Sequence, residues 1–117
     1  MAGADVYAKQ GFGASSGFGA APALLVVDFV NGFADPDMFG GGNILQAISN
    51  TQRLLGAARA KKIPICFTRV VYAEDGSDAG VFCMKAPNLA ALTDASRASQ
   101  VVDELAPYSM RATAAKW

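Results

Sequence analysis

Five apolar residues, Ala23-Leu24-Leu25-Val26-Val27, run without a break into the carboxylate of Asp28, and a polar turn at Asn31 and Gly32 follows at once. The run is too short to cross a membrane and is β-branched at its end, so it reads as a strand over 23–28, buried on both faces of a sheet. A charge at the end of such a strand has lost much of its hydration and must be paired or used. Open parallel sheets collect ligands at the carboxyl ends of their strands, which is where this pattern puts Asp28. Two readings of Asp28 stand at this level. It is a functional carboxylate, or it caps the following turn or pairs with an Arg or Lys.

The pattern after this strand defines its neighbours. Asn43 is a candidate N-cap. Beyond it Ile44, Ala47, Ile48, Thr51, Leu54, Leu55 and Ala58 recur at helical spacing. Lys61 and Lys62 suit the end of that helix, where free carbonyls and the macrodipole favour cations. Pro64 opens a second strand to about Val71, with Ile65, Phe67, Val70 and Val71 apolar. Strand, helix and strand with this connection length predict a right-handed parallel βαβ unit. Residues 73–88, carrying Gly76, Gly80 and Pro87, read as a loop. A second helix is expected over about 93–105, burying Val101, Val102 and Leu105 and stopped by Pro107. Residues 1–21, rich in Gly, Ala and Ser, read as an irregular arm, and 22–117 as the start of an α/β domain.

Composition narrows the function classes. Of 117 residues, 52% are hydrophobic and 17% charged, enough apolar material for a core and too little charge for a disordered chain. The low charge also hints at surface meant to be covered by more chain or by a second subunit. Ten basic and ten acidic residues cancel, and no basic cluster exceeds Lys61-Lys62, so nothing marks a nucleic-acid or polybasic membrane partner. The N-terminus lacks the basic flank and apolar run of a secretory signal, and a cytoplasmic location is the expectation. Cys66 and Cys83 then read as free thiols rather than a bridge.

The turn Asp28-Phe29-Val30-Asn31-Gly32-Phe33 resembles the Asp-x-x-Asn-x-Phe turn of the isochorismatase-like cysteine hydrolases. Gly17-Phe18-Gly19, Leu54-Leu55-Gly56-Ala57-Ala58-Arg59, Ile63-Pro64-Ile65-Cys66-Phe67-Thr68-Arg69, Lys85-Ala86-Pro87 and Glu104-Leu105-Ala106-Pro107 extend the likeness over about 6–107. The order and spacing are most similar to the branch of N-carbamoylsarcosine amidases and maleamate amidohydrolases. The resemblance implies a three-layer α/β/α fold with a parallel sheet of Rossmann-like topology, of which this sequence would be a truncated, N-terminal half. It implies hydrolysis of a small amide or carbamoyl substrate with release of ammonia, no cofactor, and a homo-oligomer in which the N-terminal arm packs on a neighbour. It also implies Asp28 as the catalytic carboxylate and Asn31 and Phe33 as substrate-binding residues. Lys116, nine positions beyond Pro107, stands about where the family places its catalytic Lys, although the residues between have weak strand propensity.

The nucleophile is what the sequence does not supply. Family chemistry needs a cysteine thiolate at a helix N-terminus after a later strand, to attack the carbonyl carbon. Cys66 falls inside the second strand and reads as a core thiol, and Cys83 reads as packing. Metal chemistry finds little support. Relatives that cleave nicotinamide hold zinc with an Asp and two His, whereas this sequence has no His, and Asp75 and Asp78 read as turn residues. Gly40-Gly41-Gly42 precedes a helix but matches no phosphate-binding fingerprint. Arg69 and Lys85 remain candidates for meeting a substrate carboxylate, or are solvated charges. The expectation is therefore an incomplete cysteine amidohydrolase. The alternative is a non-catalytic fragment or pseudoenzyme that acts through its unpaired sheet edge. A flavodoxin-like binding module is a weaker third reading, opposed by the missing phosphate loop. A sheet of two or three strands also leads us to expect an isolated chain that oligomerises, aggregates or is partly molten.

Overall fold

The computed structural model describes residues 2–107. Lys116 and the rest of 108–117 lie outside the described residues. Two strands, β1 (Leu24–Val27) and β2 (Ile65–Thr68), pair in parallel with Leu24 opposite Ile65, Leu25 opposite Cys66, Val26 opposite Phe67 and Val27 opposite Thr68. The 17-residue helix α3 (Ile44–Ala60) connects them, which completes the expected βαβ unit. Both strands are shorter than their apolar runs suggest. Past Thr68 the chain leaves the ladder, and Tyr72 bridges in parallel to Thr93.

Alternation along the strands divides the sheet into two unlike faces. Val26 and Phe67 point into a core with Ile48 and Leu55 of α3 and with Val102 and Leu105. Their neighbours point the other way, where Leu25 is 58% and Val27 45% exposed. The expectation of a strand buried on both faces is thus corrected. Period-2 geometry sends every second residue to the far face, and among the described residues nothing covers it. On α3, Ile48, Leu55 and Ala58 are buried, but Leu54, one position off the stripe, is 56% exposed.

The ends of α3 follow from local chemistry. Asn43 occupies the N-cap position without a capping side-chain hydrogen bond. At the other end Lys62 adopts φ +57°, its amide donates to the Arg59 carbonyl, and the Ile63 amide donates to the Ala58 carbonyl at 2.9 Å. This pair of bonds is a Schellman closure, with Lys62 in the left-handed position usually taken by glycine.

Three further expectations are corrected. The N-terminal arm is not irregular throughout, because helix α1 covers Ala2–Lys9. A short helix, α4 (Val81–Lys85), lies inside the expected 73–88 loop, and a 3₁₀ turn over Pro87–Ala91 follows it. The expected helix over 93–105 does not form. Two 3₁₀ turns, Arg97–Ser99 and Asp103–Leu105, stand there instead, and Val101 bridges antiparallel to Val30. Local polar side chains account for the difference. Ser96 Oγ accepts from the Ala98 amide, and Ser99 Oγ donates to backbone carbonyls at Thr93 and Ser96. Ser and Thr that bond nearby backbone in this way favour turns over helix. Val102 and Leu105 are buried as expected, on α3 rather than on a helix of their own.

Candidate active site

Asp28 stands at the carboxyl end of β1, half-buried, with φ +60°. A left-handed conformation is uncommon for a residue with a Cβ, tolerated best by Asp and Asn, and persists where surrounding contacts enforce it. Those contacts come from Thr68 at the end of β2. The Asp28 amide reaches both the carbonyl oxygen of Thr68, at 3.3 Å, and its Oγ1, at 3.2 Å. Thr68 Oγ1 in turn donates to Asp28 Oδ1 at 3.0 Å. One carboxylate oxygen is thereby fixed, and Oδ2 has no hydrogen-bond partner among the described residues.

Immediately after this turn, the short helix α2 (Asn31–Ala34) begins. It sends neighbouring side chains to different places. Phe33 joins Asp28 in lining a pocket of about 430 Å³, together with Val70, Tyr72, Phe82 and Leu89. Phe33 also stacks at a tilt on Phe39, with ring centroids 5.6 Å apart. Asn31 faces a second pocket, of about 490 Å³, with Asp35, Met38, Leu45, Arg97 and Glu104 among its walls. There its Nδ2 donates to the Arg97 carbonyl at 2.9 Å. The structure therefore brings Asp28 and Phe33 together and directs Asn31 elsewhere. Gly32 between them is buried, and a Cβ on it would meet Leu92 Cδ2 at 2.9 Å.

Arg69, a candidate for meeting substrate, is committed to structure. Its Nε donates to the Ser99 carbonyl at 2.6 Å and its Nη2 to Ser99 Oγ at 2.9 Å, while Nη1 pairs with Asp94 at 3.4 Å. This fork explains how Ser99, fully buried, is satisfied. The clasp also docks the segment that lines up beside Asp28's turn. The Asn31 amide donates to the Gln100 carbonyl, and the Val102 amide to that of Phe29. Lys85 is exposed in the last turn of α4.

Sequence reasoning missed Thr68 and Tyr72. A signal for Thr68 existed. Sequential parallel strands ending at one level put a hydroxyl from the second beside a carboxylate from the first. Tyr72 packs beside Cys83, and hydrogen bonding with that thiol, helped by burial, holds its phenol above the ordinary value. Cys83 is buried in an apolar cluster with Leu89 and Leu92. Cys66 is half-buried within β2, opposite Leu25. Neither lies at the start of a long helix. Among the described residues no group of three or more His, Cys, Asp or Glu is arranged to hold a metal ion. Asp75 is a turn residue, its carboxyl held below the usual range by the hydroxyl and amide of Ser77.

A parallel sheet with a connecting helix and a clamped carboxylate at the first strand's end defines an α/β protein with a strand-end site. The isochorismatase domain family matches residues 22–117, and the chain belongs to that family. The N-carbamoylsarcosine amidase of Arthrobacter sp is 34% identical over 112 residues, which cover 91% of this chain and 42% of that protein. Among solved structures, a cysteine hydrolase from Pseudomonas syringae pv. phaseolicola superposes with a TM-score of 0.70 at 27% identity, over 81% of this chain and 45% of that one. The N-carbamoylsarcosine amidase of Thermoplasma acidophilum shares the fold, with a TM-score of 0.63 at 19% identity over 82% of this chain and 51% of the other. The chain thus spans about half the length of the proteins it matches, or somewhat less. No helix among the described residues is long and apolar enough to cross a membrane.

Proposed function

We propose that these residues supply the acid–base part of a cysteine amidohydrolase that cleaves a small amide or carbamoyl substrate and releases ammonia. The observation that carries this reading is Asp28 itself. It is a carboxylate in a strained conformation at a strand's carboxyl end, with Oδ1 fixed by Thr68 and with an adjoining pocket that Phe33 also lines. Family membership and the 34% identical amidase support the same chemistry.

In this mechanism Asp28 takes the proton of a cysteine thiol, and the thiolate adds to the carbonyl carbon. The tetrahedral intermediate collapses with cleavage of the C–N bond, and Asp28 returns the proton to the departing nitrogen, which leaves as ammonia. Water then hydrolyses the thioester and regenerates the thiol. Neither Cys66, within a strand, nor Cys83, in an apolar cluster, suits the nucleophile, which we assign to a segment outside these 117 residues. Lys116 is the candidate for the ammonium that steadies the developing charge. Asn31, turned to the Arg97 carbonyl, would position α2 rather than touch substrate through its present rotamer. A cytoplasmic homo-oligomer is the setting this reading implies.

The test is ammonia release from N-carbamoylsarcosine and from maleamate by a purified protein that also carries the nucleophile segment, and by its Asp28→Asn variant. The variant is expected to lose at least about a hundredfold in kcat, the usual share of a general base. Unchanged turnover would remove Asp28 from the chemistry. A second reading, a non-catalytic fragment or pseudoenzyme that acts as an interaction module through its unpaired sheet edge, is favoured by the apolar Leu25 and Val27 left exposed on the same sheet. Absence of turnover together with a stable oligomer in sedimentation would support it.

A further inference from the structure

Strict alternation along β1 would send Asp28 after Val26 into the core, because residues two apart share a face. Its φ of +60° breaks that alternation, and the carboxylate comes instead within hydrogen-bond reach of Thr68, the residue paired with Val27. The contact is a closed ring of two bonds. Thr68 Oγ1 accepts from the Asp28 amide at 3.2 Å and donates to Asp28 Oδ1 at 3.0 Å. A hydroxyl has one proton, so that of Thr68 is committed to Oδ1 while the amide occupies a lone pair. The backbone around Asp28 is held without this hydroxyl. The Asp28 amide also reaches the Thr68 carbonyl, the Val30 amide donates to the Asp28 carbonyl at 2.9 Å, and the Val102 amide donates to that of Phe29 at 3.0 Å. Of all these bonds, only the one to Oδ1 holds the side chain.

We propose that Thr68 is a positioning residue for the reaction. Its hydroxyl pins Asp28 Oδ1, fixes the rotamer of the carboxylate and leaves Oδ2 as the oxygen that takes the thiol proton and returns it to the departing nitrogen. The proposal rests on the reading of Asp28 as the general base, and adds the group that orients it. A proton arriving on Oδ1 would confront the hydroxyl proton already there, whereas Oδ2 is open among the described residues. A group that holds a base in one geometry acts on the chemical step and hardly on substrate affinity. The hydroxyl is therefore what matters at this position, and not the outline of the side chain. Valine keeps the β-branched shape and strand preference of threonine but has no donor.

The experiment compares Thr68→Val, Thr68→Ser, Asp28→Asn and the Asp28→Asn, Thr68→Val double variant in a purified protein that also carries the nucleophile segment, with ammonia release as the readout. Thr68→Val is expected to lower kcat at least about tenfold with KM within about twofold, and Thr68→Ser to recover most of the loss. In the Asp28→Asn background, Thr68→Val is expected to change kcat by less than about twofold, since a group that acts through Asp28 has nothing left to orient. In the same protein the Hα–Hβ couplings of Asp28 are expected to report one staggered rotamer, averaged in Thr68→Val while the β1 and β2 amides stay protected from exchange. Unchanged kcat in Thr68→Val, a serine variant as slow as the valine one, or losses that multiply in full in the double variant would each overturn the proposal. So would a single Asp28 rotamer kept in Thr68→Val, or loss of exchange protection there, which would make Thr68 a merely structural residue. Failure of the underlying reading looks different. Unchanged turnover in Asp28→Asn, or a parent protein that releases no ammonia, sinks the amidohydrolase reading and this role with it. An impaired Asp28→Asn beside a fully active Thr68→Val removes Thr68 alone.

Discussion

The β1–α3–β2 unit and the segment from Thr93 to Leu105 bury apolar residues in the same core, yet one forms regular elements and the other is a string of turns. In the first, the order is periodic. Ile48, Leu55 and Ala58 fall on one stripe of α3, and Val26 and Phe67 on one face of the sheet. In the second, order comes from polar groups that reach across the fold. Arg69 holds Ser99, Ser99 holds the carbonyls of Thr93 and Ser96, and Gln100 and Val102 tie the segment to Asn31 and Phe29. Hydrophobic burial, being additive and non-directional, writes itself into sequence as a period, whereas a hydrogen-bonded clasp between residues 30 positions apart leaves none.

The sharpest way to break the first region is Leu55→Ala. Leu55 is 1% exposed, and the cavity is expected to cost about 3 kcal/mol, read as a lower denaturation midpoint for the whole molecule. The second region is broken by Arg69→Ala, which strips the buried Ser99 carbonyl and hydroxyl of their donor and is expected to cost about 2 kcal/mol. Its signature differs from that of Leu55→Ala. Hydrogen exchange should accelerate at the Asn31 and Val102 amides while β1 and β2 stay protected. Arg69→Lys should recover only part of the loss, because an ammonium cannot reproduce the fork.

Gly32 lies at the seam between the two regions. Gly32→Ala puts a Cβ 2.9 Å from Leu92 Cδ2 and 3.2 Å from the Ala98 carbonyl oxygen, and the side chain at Leu92 can move where the backbone cannot. An expected cost of about 1 kcal/mol in thermal melts would mark a seam that yields, and a much larger one a rigid seam. The smallest effect belongs to Arg97→Ala. Its pair with Asp103 has both side chains more than 70% exposed, and its loss is expected to change stability by less than about 0.5 kcal/mol. Two arginines near the same segment are thus separated by burial alone.

Legibility at the site followed the same division. Asp28 was legible because an apolar run ending on a carboxylate is unusual, and Phe33 because it stands in the turn that resembles the family's. Asn31, two positions earlier, carried an equal expectation, but the one-turn helix α2 rotates its side chain to the other pocket. Arg69 read as a free cation since nothing in its neighbourhood along the chain shows that Ser99 will be buried beside it. The expected helix over 93–105 failed because a count of apolar positions ignores what Ser96 and Ser99 do with nearby carbonyls.

By itself the sequence determined the parallel strand–helix–strand unit, the core stripe of α3 and the strand-end place of Asp28, since each rests on local propensity and on periods of 2 and 3.6 residues. Only the tertiary structure decided which oxygen of Asp28 is engaged, which pocket each residue of α2 enters, and which arginine is structural. Those outcomes depend on contacts between residues 30 to 66 positions apart, made by directional hydrogen bonds whose partners are chosen by the packed fold and not by their neighbours in the chain.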